Sequence, residues 1–258
     1  MQHLVLTGAP PPGETLELPQ RYQHYLINVR RLTVGAILRY TDGVHYQGEV
    51  EIAGHAAGRI TLRILTREES TQSHGTLTVY VPLLKGKSFD QALRGITELG
   101  VDHIVPLLTE RCVRRREEGS QRWHAIIQEG CQQSGRLTLP ELHPICSIPQ
   151  IASPVASPAD PANRTAHRWI AFHESGEALL EAHWPREPEE SGEPTQNAGD
   201  WRILIGPEGG LTDGEVAQLH AAGWHVRRLD LPVLRAVTAA IAATAIVQHI
   251  RTHYTDRT

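Results

Sequence analysis

The sequence has no apolar run approaching the roughly 20 residues that span a bilayer, which excludes a membrane-spanning helix. Its start, Met1-Gln2-His3-Leu4, lacks a charged segment followed by an apolar stretch. No secretory signal is therefore expected, and the cytoplasm is the expected compartment. Cysteine is scarce: Cys112, Cys131 and Cys146 show no CxxC spacing and read as reduced, structural thiols. Histidine is not scarce, but the 15 histidines are scattered; His249 and His253 lie four apart without evident third and fourth ligands, so no metal site is expected. Lysine is nearly absent. Lys85 and Lys87 are two of 25 basic residues, the other 23 being arginine, the residue suited to bidentate phosphate contact and stacking. What remains is ordinary: 258 residues, 40% hydrophobic and 21% charged, enough for one large domain or two modest ones and unlike a disordered or collagen-like chain.

The net charge of -4 is unevenly distributed. Residues 173–200 hold eight acids (Glu174, Glu177, Glu181, Glu187, Glu189, Glu190, Glu193, Asp200) and one base, Arg186. The rest of the chain is left with 24 bases against 21 acids. Between Pro19 and Thr41 there is no acid but four arginines, Arg21, Arg30, Arg31 and Arg39, either a solvated face or a phosphate-facing surface.

Residues 1–72 read as short strands. Ile37–Tyr40, the turn Thr41-Asp42-Gly43 and Val44–Val50 make a hairpin, and Arg59–Leu65 alternates as a further strand, so a small β-barrel-like unit is expected. A polar stretch at 67–75 is a candidate linker. The pattern then becomes β-α-β-α: strand Thr76–Leu84, a helix from Ser88 with a capping-box pattern at Ser88 and Gln91, strand Val101–Leu107 and helix Gln121–Ser134. After a Pro/Ser/Ala loop, strand His167–His173 and a short helix Gly176–Ala182 are expected. Pro185–Gly199 reads as a flexible acidic excursion. Strand Trp201–Ile205, helix Thr212–Ala222, strand His225–Leu229 and a long helix Ala236–His253 complete an α/β unit with a mainly parallel sheet.

Two loops of this unit carry the chemistry. In Ile205-Gly206-Pro207-Glu208-Gly209-Gly210-Leu211, a strand enters a glycine-rich turn ahead of a helix capped by Thr212 and Glu215. Glycine there permits close backbone approach to a ligand, and the helix start offers free N–H groups. The Gly-Lys-Ser/Thr ending of a P-loop is absent, and a plain tight turn is the competing reading. In Leu229-Asp230-Leu231-Pro232-Val233-Leu234-Arg235, a loop is unusually apolar; it could wall a flat organic ligand or simply plug the sheet end. Arg235 and Thr238 sit where this loop meets the last helix.

Taken together, Thr-Glu-Leu-Gly-Val at 97–101, Gln-Ser-Gly-Arg at 133–136, Ile-Gly-Pro-Glu-Gly-Gly at 205–210 and Leu-Arg-x-x-Thr-Ala at 234–239 resemble the RsmE family of 16S ribosomal RNA uracil N-3 methyltransferases, of the SPOUT superfamily. The resemblance covers about 20–150 and 200–250. It implies a PUA-like RNA-binding barrel over 1–72 and a SPOUT domain over 73–258, with a deep trefoil knot at about 201–253. It further implies S-adenosylmethionine as cofactor, a homodimer, and the RNA of the small ribosomal subunit as partner. The adenine would rest on Leu229, Leu231 and Leu234, with Leu107, Ile205, Gly206, Pro207, Glu208, Gly209, Gly210, Val233 and Thr238 around the cofactor. Arg235 would stabilise negative charge on the uracil, and Glu208 is the candidate base. Arg21, Arg30, Arg31, Arg39, Lys85, Lys87 and Arg136 would hold RNA.

Three positions depart from the family pattern: Asp230 replaces a glycine, while Gln132 and Val237 replace glutamates. Two other readings therefore stay open, a SPOUT methyltransferase of another RNA base and a non-catalytic RNA-binding assembly factor.

Overall fold

The computed structural model describes residues 3–6, 8–18, 22, 24–43, 46–56, 59–69, 75–112, 120–136, 138–152, 168–179 and 200–255. The chain divides into two units, residues 1–72 with 128–139, and residues 73–127 with 140–258.

The first unit is a six-stranded mixed sheet: β1 (His3–Val5), β2 (Thr15–Glu17), β3 (Ile37–Thr41), β4 (Tyr46–Ala56), β5 (Arg59–Ile64) and β6 (Glu68–Glu69). The order is β1-β3-β4-β5-β2, with β6 beside β4. Period-two alternation selects the buried face. Ile60, Leu62 and Ile64 of β5 meet Val50 and Ile52 of β4, and Leu26 from a π-helical turn (His24–Val29) closes the cluster. The β3–β4 turn is fixed by Asp42, whose Oδ1 accepts from the Tyr46 N–H at 2.9 Å, and by Gly43 at φ +86°. Residues 128–139 return to this turn, a segment that a linear boundary at 72 and 73 does not include. Gly43 bridges Thr138, the Leu139 N–H donates to the Gly43 carbonyl at 2.8 Å, and a Cβ on Gly43 would lie 2.6 Å from Leu139 Cδ1.

The second unit is a wholly parallel seven-stranded sheet. Its strands are β7 (Leu77–Pro82), β8 (His103–Leu108), β9 (Glu141–Leu142), β10 (Cys146–Ser147), β11 (Arg168–Ala178), β12 (Trp201–Ile205) and β13 (His225–Arg228), in the order β10-β8-β7-β12-β11-β13 with β9 against β8. The near-continuous burial of β7 and β8 is what a sheet covered on both faces requires. Helices α1 (Ser88–Glu98) and α5 (Ala236–Thr255) pack on each other, and α5 lies on β7 and β12. Helices α3 (Ile148–Ile151) and α4 (Asp213–Ala221) cover a core of Tyr80, Leu107, Trp169, Leu204 and Trp224. The remaining helix, α2 (Ser120–Ser134), sets Trp123 against Phe89 of α1.

Two local expectations are overturned. The Ser88 capping box does not form. Lys87, at φ -79° and ψ -6°, is already helical and occupies the cap position, so Ser88 is the first helical residue and cannot serve as the cap. Nor does a helix begin at Gly176. After an irregularity between Phe172 and Glu177, β11 resumes beside β13, pairing Glu177 with Arg227 and Ala178 with Arg228; strand pairing overrides the local helix preference. The capping box of Thr212 and Glu215 does form at α4. No described helix is long and apolar enough to cross a membrane.

Candidate functional site

Because every strand of the second sheet runs the same way, the loops after β7, β8, β12 and β13 all leave its carboxyl edge. The chain steps from β7 outward to β8 and β10 on one side, while β11, β12 and β13 lie on the other. The reversal falls between β7 and β12, and ligands of open parallel sheets bind beyond the carboxyl ends at such a reversal. The glycine loop, 206–211, begins there.

That loop is held from two sides. The Gly210 N–H donates to the Pro207 carbonyl at 2.9 Å, and Gly210 takes φ +71°, a value side-chain-bearing residues rarely adopt. Arg111, from the loop after β8, donates through Nη1 to the Gly209 carbonyl at 2.8 Å. A Cβ on Gly209 would lie 3.2 Å from Arg111 Cβ, so glycine permits this approach. Beneath them, Glu215 is 3% exposed and bonds in three directions. Its Oε1 accepts from the Glu110 N–H at 2.9 Å, its Oε2 accepts from the Thr212 N–H at 2.9 Å, and its own N–H donates to Thr212 Oγ1 at 3.2 Å. One buried carboxylate thus couples the loop after β8 to the start of α4. The sequence signals the capping role of Glu215 but gives no sign of its bond to Glu110. A cavity of about 280 Å³ adjoins this network on the α3–α4 side, between Thr109, Ser147, Ile148 and Gln218. The stretch after Leu107, part of the expected cofactor region, lines it through Leu108, Thr109 and Glu110, whereas none of the individually named cofactor residues does.

The loop after β13 is unlike an ordinary plug. Val233 is 97% and Leu231 49% exposed, beside half-buried Leu229 and Leu234. Strands β12 and β13 both flank β11, so the two loops start two strand spacings apart, about 10 Å. Arg235 and Thr238 are exposed, and Arg235 makes no ion pair among the described residues. The exposed apolar side chains, the glycine loop and an uncommitted guanidinium suit a ligand with a flat apolar part and a polar reacting end.

The other expected site residues are dispersed. Leu107 and Ile205 are buried strand residues, and the Leu107 carbonyl accepts from the Leu83 N–H. Pro207 is buried, whereas Glu208 and Gly209 are exposed and Gly206 is half-buried. Lys85 and Lys87 are exposed in the loop after β7. In the first unit, Arg30 and Arg31 are exposed beside Val29, Val34 and Ile37, apolar residues each more than half exposed; Arg31 holds φ +54°. Arg39 is half-buried with its Nη2 3.4 Å from Gln47 Oε1, and Arg136 is half-buried near Thr138. Arg21 lies outside the described residues, as does the expected excursion Pro185–Gly199.

Two of the three departures from the family pattern acquire polar partners. The Gln132 amide donates to the Tyr22 hydroxyl at 2.7 Å, and that hydroxyl donates to the Val5 carbonyl at 3.3 Å. Gln132 therefore supports the core of the first unit. Asp230 pairs with Arg228 Nε at 3.0 Å, and Val237 is half-buried. Burial pushes the Cys131 and Cys146 thiols up to about 11, so neither is a nucleophile at neutral pH.

Comparison with known proteins decides the family. Residues 71–248 match the RNA methyltransferase domain model. The chain belongs to that RNA methyltransferase family. It is 31% identical over 232 residues to ribosomal RNA small subunit methyltransferase E of Synechocystis sp., covering 90% of this chain and 72% of that protein. The Mycobacterium bovis protein of the same name is 28% identical, over 85% of this chain and 80% of its own length. Among solved structures, a ribosomal RNA small subunit methyltransferase E from Neisseria gonorrhoeae bound to S-adenosyl methionine superposes with TM-score 0.79 at 25% identity, covering 97% of this chain and 98% of that one. A methyltransferase from Legionella pneumophila, also solved with this cofactor, gives TM-score 0.76 at 25% identity over 96% of both chains.

Proposed function

We propose that this chain transfers the methyl group of S-adenosylmethionine to N-3 of a uridine in the 16S RNA of the small ribosomal subunit. The observation that carries the reading is the carboxyl edge of the parallel sheet, where the glycine loop and the exposed apolar loop stand together with family membership. The cofactor supplies an electrophilic methyl group on a sulfonium. Leu229, Leu231, Val233 and Leu234 shield the adenine from water, with Thr238 beside them, and the backbone at Ile205–Gly210 and after Leu107 lines the rest. These residues mainly position the reactants, the largest need of a strongly driven transfer. Uracil must lose its N-3 proton, and the charge then spreads onto its carbonyl oxygens. Arg235 donates to that charge as it develops, and Glu208 accepts the proton.

In this reading residues 1–72, joined by 128–139, are a PUA-like barrel that binds RNA, and the rest of 73–258 is a SPOUT domain knotted over about 201–253. Arg21, Arg30, Arg31 and Arg39 contact phosphates from the barrel, and Lys85, Lys87 and Arg136 act nearer the target base, which leaves its stack to be modified. The protein works as a homodimer in the cytoplasm.

Titration with S-adenosylmethionine tests the cofactor. At about 100 times its dissociation constant the ligand stabilises the fold by roughly 2.7 kcal/mol, seen as a raised Tm. No shift at millimolar cofactor overturns the enzyme reading. Mapping modified bases in small-subunit RNA from a deletion strain then tests the base, where loss of a methyl group from any position other than uridine N-3 overturns the assignment.

A further inference from the structure

At the opposite, amino edge of the same sheet, three side chains converge that the methyl-transfer reading does not use. His103 opens β8, and Glu141 of β9 is its register partner. His143, two residues beyond Glu141, projects to the same face of the extended chain. The backbone bonds the three in place: the Glu141 N–H donates to the Asp102 carbonyl at 2.8 Å and the His143 N–H to the Ile104 carbonyl at 2.9 Å. His103 Nδ1 lies 3.0 Å from His143 Nε2. Glu141 Oε2 is 3.4 Å from the first nitrogen and 3.7 Å from the second.

The shape of that triangle is informative. A carboxylate serving one imidazole as a hydrogen-bond acceptor would approach it to about 2.7–2.9 Å. Here it stands back from both, while His103 Nδ1 and His143 Nε2 share a hydrogen bond that one ring donates; a cation replacing that proton would meet three lone pairs around one point. Metal–nitrogen bonds of about 2.0–2.1 Å and metal–oxygen bonds of about 2.0–2.2 Å at tetrahedral angles place donor atoms about 3.4 Å apart. The observed edges of 3.0, 3.4 and 3.7 Å bracket that value. The group is reachable from solvent, with side chains 30%, 66% and 34% exposed for His103, Glu141 and His143.

We propose that His103, Glu141 and His143 form a binding site for one borderline transition-metal dication, zinc being the best fit, with water completing the coordination. Two imidazoles and one carboxylate suit zinc, whereas magnesium and calcium favour all-oxygen shells. The ion would pin the two-residue strand β9 to β8. The spacing of histidines along the sequence does not reveal this group, because His103 and His143 lie 40 residues apart and meet only through strand pairing. The proposal stands apart from the methyltransferase reading.

The test uses the untagged full-length chain, stripped with chelator and then equilibrated with zinc chloride and filtered. Elemental analysis is expected to show one tightly held zinc per chain, and cobalt(II) in its place should give the strong visible absorption of a four-coordinate ion. Glu141→Gln and His143→Gln, checked for an unchanged far-ultraviolet spectrum, should each weaken zinc binding at least tenfold and abolish the zinc-induced rise in Tm. His225→Asn, at the start of β13 and four strand spacings from β8, should retain the full equivalent. Less than one held equivalent in the parent chain, or equal binding by parent, Glu141→Gln and His143→Gln chains, overturns the site.

Discussion

The two edges of the parallel sheet are built on opposite plans. At the amino edge, outside the cluster of His103, Glu141 and His143, buried polar side chains are committed within the chain. Asp102 Oδ2 accepts from the Leu77 N–H at 2.8 Å and from Arg251 Nη1 at 3.3 Å, and Arg251 also donates to the Gly75 carbonyl. Asp200 Oδ1 accepts from both the N–H and the hydroxyl of Thr76. At the carboxyl edge the order is reversed, with Leu231 and Val233 in solvent and Arg235 without an ion pair among the described residues. Interactions satisfied within the chain hold the fold, and groups left unspent are what a ligand can use. The difference predicts which mutations unfold the protein and which silence it.

The largest stability effect belongs to the amino edge. Asp102 and Arg251 are both nearly buried, at 14% and 8% side-chain exposure. In Asp102→Ala the Leu77 N–H loses its acceptor and the Arg251 guanidinium its paired carboxylate, keeping the Gly75 carbonyl. Removing one partner of a buried pair costs about 3–5 kcal/mol. Urea denaturation should show that loss, while the dissociation constant for S-adenosylmethionine, measured on the folded fraction, stays within about twofold. A cofactor affinity that falls with stability would break the division between the edges.

The complementary change is Arg235→Ala. Its side chain is exposed, so stability should move by no more than about 0.5 kcal/mol. Methyl transfer should fall by about 10²–10³ in kcat, the usual cost of losing one donor to developing charge, with cofactor affinity little changed. Near-normal turnover removes Arg235 from catalysis and leaves the exposed loop as a binding wall alone.

Most of this division is legible in the chain, and its gaps have physical causes. The β-α-β order, the glycine loop and the Thr212–Glu215 cap are local patterns, and the structure contains each one. The hairpin at Asp42-Gly43 was readable for the same reason. What local pattern does not carry is the partner across the sheet. The placement of β12 between β7 and β11 and the extension of β11 through Ala178 depend on tertiary pairing, as does the meeting of His103 with Glu141 and His143. The acidic segment shows the same limit. Glu177, expected in a helix, pairs with Arg227 at 3.1 Å, and Asp200, just past the expected excursion 185–199, takes the bonds of Thr76. Two of the segment's eight acids are therefore structural groups of the sheet.

The smallest effect probes the joint between structure and site. Glu215 serves both: it caps α4 at Thr212 and holds the Glu110 N–H of the loop after β8. In Glu215→Gln one carboxylate oxygen becomes an amide that faces a backbone N–H, so one buried donor loses its acceptor. That costs about 1–2 kcal/mol in stability, less than Asp102→Ala. Unlike Asp102→Ala, it should also raise the S-adenosylmethionine dissociation constant several-fold, because the loop that carries Arg111 to the Gly209 carbonyl is no longer fixed to α4. Calorimetric titration of the folded variant reads the affinity and urea denaturation the stability. A stability loss with unchanged affinity would show that the glycine loop keeps its shape without the carboxylate, and the coupling between edge and site would then rest on Arg111 alone.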